Sequence, residues 1–446
     1  MKDPKEYRSG VIIGKEHNYV FHSEGYCFTF MDSEVNSHNL NPITPTKDGF
    51  ILGKLHDGHD IGIYVGQTKD FPILSHRQVI TGVYYEYSSF LDITDPTSLW
   101  GIEFCGGTLN MLLDRSKSSF DFADGKIVVD NATINNDYTL QCENEEWTIS
   151  IGSMPRFSNG VSGLSVRDSG VYIRILFPTK KTVGDFLRIH SIVREMISFM
   201  TFRRNVGFDE IHFLKQKDDY GFNQRCAQVF VRNDEPLTSK GWFRSITFDD
   251  FGDNLPNLFK FMFCHNDSEA SYMLGFLPQN DNEVMKMSPM RLREVCSALE
   301  CELSFVADLK PDEEQNLTEL VKEIKKLIKT HRKGSSRLSD KTYDVIHGSI
   351  EHWSLALSDR IYLLYQQYED IIINMIDTRI VIGAEEINKF VKFRNNITHG
   401  RHRIIDQTVG TTAAVLQGLV YCCLLTRLGI ERDNLETICT ERRLLY

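Results

Sequence analysis

The 446-residue sequence lacks the features of a secreted or membrane-spanning protein. Its first residues, MKDPKEYRSG, contain no apolar segment of the kind found in secretory signals. The longest apolar run, residues 413–425, is interrupted by Gln417 and is too short to cross a bilayer, so it predicts a buried helix. The ten cysteines form no C-x-x-C pair, which indicates reduced thiols. Together these absences predict a cytoplasmic protein with no membrane contact.

The sequence also lacks the motifs of several common enzyme classes. It has no Walker A loop, G-x-S-x-G turn, H-E-x-x-H helix or zinc-ribbon cysteine spacing. A general nucleic-acid coating protein is disfavoured as well, because 50 Lys and Arg stand against 61 Asp and Glu, a formal net charge of −11. A local contact with RNA remains compatible with this charge.

What is present predicts an α+β protein of several domains. Residues 1–178 contain many short β-branched and aromatic segments, such as 61–65, 79–87 and 171–177, separated by glycine and Asp/Asn turns. This pattern predicts a β-rich N-terminal domain, either sandwich-like or a curved antiparallel sheet.

A mixed middle region is expected at residues 179–307. Thr182 with Asp185 forms a capping box before a helical apolar pattern. Strand-like segments follow at 208–214 and 226–231. The region is therefore either a small α+β domain or an extension of the first domain.

The C-terminal region, residues 308–446, has helical periodicity throughout and predicts an all-α bundle. Five helical segments with short connections are expected at residues 317–328, 343–356, 361–376, 387–398 and 412–428.

The most informative segment is RNNITH, residues 394–399. Arg394 is always charged and matches phosphate with a planar fork of donors, and His399 can exchange a proton near neutral pH. Asn395 and His399 would share one helix face, whereas Arg394 and His399 would lie about 140° apart. Convergence of Arg394 and His399 requires fraying at Thr398, an arginine that reaches round the helix, or a second subunit. Gly400 marks the expected helix end.

Residues 391–405 contain four Lys or Arg and no Asp or Glu, a basic patch that suits a polyanion. Lys392, Arg401, His402 and Arg403 are therefore candidate RNA-backbone contacts. The plainer alternative is a surface arginine and a helix-terminal histidine that only satisfy carbonyl groups.

Two metal-site interpretations are disfavoured. His399 and His402 have no nearby acid or cysteine, and the flanking arginines would repel a cation. A P-D…E-x-K nuclease pattern ends at Glu323 and Lys325, but helical periodicity directs these two side chains to different faces. No metal or cofactor is expected.

The motif resembles the R-x4-6-H hallmark of HEPN domains, which Arg394, Asn395 and His399 match position by position. The β-rich, mixed and helical order along the chain resembles the ApeA-like proteins of bacterial anti-phage abortive infection. The resemblance implies a metal-independent, dimeric endoribonuclease with an N-terminal sensor domain. In HEPN toxins paired with small nucleotidyltransferases, a tyrosine often stands two residues after the histidine. Arg401 occupies that position here, so control by modification of such a tyrosine is not expected.

The resulting hypothesis is a toxic RNase effector of phage defence, with Arg394, Asn395 and His399 as catalytic residues. The expected partners are an RNA substrate, with tRNA as one candidate, a second copy of the chain, and a phage-derived trigger. The alternative is a non-catalytic dimeric scaffold that binds RNA or protein through the same patch.

Overall fold

The computed structural model of the chain divides into two compact units. The N-terminal unit comprises Met1–Asn266 and Leu277–Asp281, and the C-terminal unit comprises Asp267–Phe276 and Asn282–Tyr446. The residues that the structure describes are 7–13, 18–32, 42–67, 71–72, 76–87, 98–114, 119–123, 126–130, 134–142, 144–160, 163–217, 223–264, 274–284, 286–306, 315–333, 339–351, 356–376, 382–400 and 404–442.

All strands of the described chain lie in the N-terminal unit. They are β1 Tyr7–Ile13, β2 Asn18–Glu24, β3 Cys27–Asp32, β4 Pro42–Ile43, β5 Phe50–Leu55, β6 Asp60–Tyr64, β7 Phe71–Pro72, β8 His76–Ile80, β9 Val83–Tyr87, β10 Ser98–Cys105, β11 Ser119–Ala123, β12 Lys126–Asp130, β13 Asn135–Cys142, β14 Glu145–Gly160, β15 Gly163–Thr182, β16 Glu210–Lys217 and β17 Asn223–Val231.

Thirteen of these strands form one antiparallel sheet, in the order β13-β14-β15-β10-β16-β17-β9-β6-β5-β1-β2-β3-β8. The pairs β11–β12 and β4–β7 form two small sheets. The predicted α+β class is confirmed. The sequence left open a sandwich or one curved antiparallel sheet. The thirteen strands form one continuous hydrogen-bonded sheet and not two separate sheets.

Aromatic residues pack on both faces of the large sheet. On β9, Tyr84 stacks on Phe230 with ring centroids 4.6 Å apart, while its neighbour Tyr85 packs against Phe213 at 5.4 Å. Successive residues of a strand point to opposite faces, so both faces are covered here. Because both faces are covered, the sequence has continuous apolar runs in these strands. A strand with one face in solvent would instead alternate apolar and polar residues.

Helix α1, Val183–Thr201, covers part of one face of this sheet. The predicted capping box is present, since the Thr182 backbone N–H donates to Asp185 Oδ2 at 3.0 Å. The predicted apolar face is buried, and Phe186 packs edge-to-face on Phe213 of β16. Two short helices, α2 Phe248–Phe251 and α3 Leu255–Cys264, complete the described α-helices of this unit, which also has short 3-10 helices such as Gly107–Leu112.

The expected middle region, residues 179–307, is shared between the two units. Strands β16 and β17 are inserted between β10 and β9 in the large sheet, so they belong to the N-terminal unit. Sequence periodicity identifies strands but not their partners, and these two pair with strands formed more than 100 residues earlier.

The described part of the C-terminal unit is helical and contains no strand. Its helices are α4 Pro289–Phe305, α5 Gln315–Lys333, α6 Asp340–Glu351, α7 Leu357–Ile376, α8 Ala384–Thr398, α9 Gln407–Arg427 and α10 Arg432–Arg442. Helix α9 is buried on all sides and contacts α4, α7, α8 and α10. The predicted set of five helices after residue 308 omitted α10. That helix buries only four of its eleven side chains, which gives a weak apolar pattern.

Within the described residues, α9 is the one helix long and apolar enough to cross a membrane. In its most apolar window, 78% of the residues are buried inside the protein. The predicted buried helix is therefore confirmed, since most of its residues face the inside of the unit.

Candidate active site

Helix α8 positions the motif. The Gly383 backbone N–H donates to Glu386 Oε2 at 2.9 Å, which caps the first turn. Ile387 and Phe390 are fully buried and fix the helix against the bundle. The helix ends at Thr398, and Gly400 adopts a left-handed φ of 73°. The predicted helix and its glycine-marked end are confirmed.

Arg394 is held in a defined orientation by two acceptors. Its Nη2 donates to Glu300 Oε2 of α4 at 2.7 Å, and its Nη1 donates to Asn395 Oδ1 at 3.1 Å. The arginine side chain is 22% exposed. Its Nε is buried and has no hydrogen-bond partner among the described residues. A guanidinium carries five N–H donors, so hydrogens remain on both Nη atoms for a ligand.

Glu300 is the site residue that sequence reasoning missed. It lies 94 residues before Arg394 and on a different helix, and no spacing rule links the two. The buried Cys296 lies beside this ion pair. Burial, followed by the Glu300 charge, raises the pKa of the Cys296 thiol to about 12, while Arg394 opposes the shift. The thiol is therefore protonated near neutral pH and is no nucleophile there.

His399 is exposed at the C-terminal end of α8. Its backbone N–H donates to the Asn395 carbonyl oxygen at 3.1 Å, so the helical bonding continues through Thr398 without fraying. On such a helix Arg394 and His399 remain about 140° apart. In the described structure the His399 ring bonds to neither Arg394 nor Asn395. One chain therefore presents the two groups separately.

The predicted RNA contacts are only partly within the described structure. Lys392 is exposed on α8. Arg401, His402 and Arg403 lie outside the described residues, and their roles stay predictions. Ile404, the next described residue, is 95% exposed.

His402, the second histidine of one metal-site pattern, lies outside the described residues, so that pattern is not tested. Glu323 and Lys325 lie on α5, a regular helix, as the periodicity predicted. Among the residues the structure describes, no three His, Cys, Asp or Glu side chains are grouped so that they could hold a metal ion.

A separate cavity lies in the N-terminal unit, between the start of β16 and the end of β17. It is partly open to solvent, and its lining includes His190, Phe208 and Asn233. Burial, with a smaller contribution from Arg194, lowers the pKa of His190 to about 3. This imidazole is neutral near pH 7 and unsuited to proton exchange there. The α8 site therefore remains the candidate active site.

The buried His190 predicts an acid-sensitive N-terminal unit. Its pKa in the folded chain lies below the ordinary value of 6.5, so the unfolded chain binds the proton more readily. This contribution to stability is complete above pH 6.5 and decreases as pH falls toward 3. Between about pH 7 and about pH 5, wild type should lose roughly 1–2 kcal/mol more unfolding free energy than His190→Leu.

Urea unfolding at the two pH values measures this difference. His56→Leu is the matched control, because His56 is exposed. An identical pH dependence in wild type and His190→Leu would contradict the prediction.

Comparison with known proteins adds no assignment to this geometry. No family model matches the chain, and no curated protein or solved structure matches it either.

Proposed function

We propose that the chain is a metal-independent endoribonuclease whose active site is built on the C-terminal end of α8. The observation that carries the proposal is an oriented, partly exposed Arg394 on the same helix end as an exposed His399. Each Nη atom of Arg394 donates one hydrogen to a described acceptor and keeps its second hydrogen for a ligand. An incompletely satisfied guanidinium suits a site that receives an anionic ligand.

The chemistry would be attack of an RNA 2′-OH on the adjacent phosphate. His399 removes the 2′-OH proton or protonates the departing 5′ oxygen. Arg394 binds the phosphate and stabilises the charge that develops on its oxygens. Glu300 and Asn395 hold the guanidinium in place. The P–O5′ bond breaks as the 2′ oxygen bonds to phosphorus, so the products are a 2′,3′-cyclic phosphate and a 5′-hydroxyl.

A homodimer supports this chemistry better than a single chain. Each chain has one motif histidine, while the reaction uses a base and an acid. The unfrayed α8 also keeps Arg394 and His399 on different sides of the helix. A two-fold interface through the C-terminal unit would bring two motifs together.

We extend the proposal to phage defence in the cytoplasm. The N-terminal unit would sense a phage-derived trigger and release a toxic RNase, with tRNA as one candidate substrate. This part depends on the resemblance of the motif and domain order to ApeA-like proteins.

A non-catalytic scaffold is the second candidate, and the Arg394–Glu300 ion pair favours it. An arginine that bridges α8 and α4 contributes to the bundle without any chemistry. Such a scaffold would bind RNA or protein and leave RNA intact.

Cleavage without metal separates the two candidates. The purified protein, with its trigger where one is needed, should cut RNA in excess EDTA and leave cyclic-phosphate ends, because no step requires a cation. Sequencing of RNA termini after phosphatase and kinase treatments measures this result. Strict dependence on Mg²⁺ or Mn²⁺ would refute the mechanism, and intact RNA under all conditions would favour the scaffold.

A further inference from the structure

We propose that helix α5 carries a second RNA contact surface, formed by Lys322, Lys325, Lys326 and Lys329 and named here the lysine stripe. Their spacing of three, one and three residues places all four within an arc of about 100° on a regular helix. From first to last they span about 10 Å along the axis. That length accommodates two or three successive phosphates of a single RNA strand.

The lysine stripe differs from an ordinary solvated helix face. Lys322, Lys326 and Lys329 are exposed, and no carboxylate of the described chain lies within ion-pair distance of them. This holds although Glu319 and Glu323 belong to the same helix. Like charges three or four residues apart repel each other and destabilise a helix. A polyanion would relieve that repulsion, in a chain whose net charge is −11.

The other face of α5 leaves the lysine stripe accessible. The helix packs mainly against α6, and its inward residue Ile328 is only 8% exposed. By helical geometry Lys322, Lys326 and Lys329 lie about 100–160° from Ile328 and are exposed, whereas the half-buried Lys325 lies about 60° from Ile328 at the edge of the stripe.

A membrane surface fits the same helix less well. Leu320 and Leu327 are 49% and 59% exposed, so α5 is a basic amphipathic helix with partly exposed leucines. However, the two leucines lie about 140–160° from Lys322, and Glu323 borders them. Insertion of the leucines into a bilayer would turn the lysines away from the headgroups. The phosphate backbone of RNA, which needs no apolar insertion, is the better occupant.

This inference deepens the proposed function, since the lysine stripe would guide the RNA that the α8 site cleaves. Its test uses binding and is independent of cleavage. Full-length protein carrying His399→Ala should bind a short single-stranded RNA with a steep salt dependence. Adding Lys322→Gln, Lys326→Gln and Lys329→Gln should lower the affinity at low salt by about tenfold or more. The slope of log affinity against log salt should fall by about 2, because three contacts are lost.

A charge-matched control shows whether position matters. Lys47, Lys260 and Lys341 are exposed elsewhere in the chain, and their replacement by Gln changes the net charge equally. RNA binding should be nearly unchanged in this control.

Three outcomes would overturn the inference. The two triple variants could lose RNA affinity equally, or the salt slope of the stripe variant could be unchanged. The stripe variant could also lose binding to phosphatidylserine vesicles while it keeps its RNA affinity. Failure of the proposed function gives a different result. The wild type would then not cleave RNA, while the stripe variant would still lose RNA affinity relative to its control.

Discussion

His399→Ala should lower the rate of RNA cleavage by at least about a hundred-fold, the usual contribution of a general acid or base. The fold should be unaffected, because His399 is exposed and its ring has no hydrogen-bond partner in the described structure. The unfolding free energy should change by less than about 0.5 kcal/mol. His56→Ala removes an exposed imidazole from the N-terminal unit and should leave cleavage unchanged.

Arg394→Ala should cause a comparable loss of cleavage, and both variants should lose toxicity and phage protection while remaining dimeric. Its effect on stability should be modest, since the Glu300 carboxylate is 36% exposed and such pairs contribute up to about 1 kcal/mol.

Mixing the two inactive proteins should restore part of the activity if one working site takes its arginine and histidine from different chains. Sedimentation measurements show whether dimers form. A strictly monomeric active enzyme, or protection of cells by His399→Ala, would count against the proposed site.

Arg291→Met should destabilise the C-terminal unit by about 3–5 kcal/mol. Arg291 is 7% exposed, and its guanidinium donates to four backbone carbonyls and to Gln417 Oε1 of α9 at 2.8–3.1 Å. Methionine fills similar space but leaves all five acceptors without this donor. The carbonyls are those of Phe276, Glu283, Val284 and Lys286.

Calorimetry of the full chain measures the effect, and the transition of the C-terminal unit should shift down by roughly 10 °C. Arg293→Met is the matched control on the same helix. Arg293 is 39% exposed and, among the described residues, pairs only with the adjacent Glu294, so its replacement should lower the unfolding free energy by less than about 1 kcal/mol. Equal shifts of the transition temperature in the two variants would show that the buried hydrogen bonds of Arg291 stabilise the unit no more than the exposed Arg293–Glu294 pair does.

Local patterns predicted the parts of the molecule that form locally. The capping box at Thr182, the apolar faces of α1 and α8, and the helix end at Gly400 all depend on residues within a few positions of each other. The separation of Arg394 from His399 also followed from helix geometry alone. These features were therefore readable from sequence.

Features that depend on distant residues were not predicted. Glu300 reaches Arg394 only because α4 packs against α8, and periodicity does not encode which helices pack together. The same reason explains the middle region, where β16 and β17 pair with β10 and β9. Helix α10 was missed for another reason, since its apolar positions are too few to reveal its period.

The strand order has a consequence for synthesis on the ribosome. Strand β9 pairs with β6 on one side and with β17 on the other, so its second edge has no partner until residue 231 has emerged. Nascent chains that stop earlier would expose this edge to other chains, and truncations before β17 should aggregate. All residues of the N-terminal unit are also translated before α8. In every newly made molecule, the sheet can therefore be complete before Arg394 and His399 leave the ribosome.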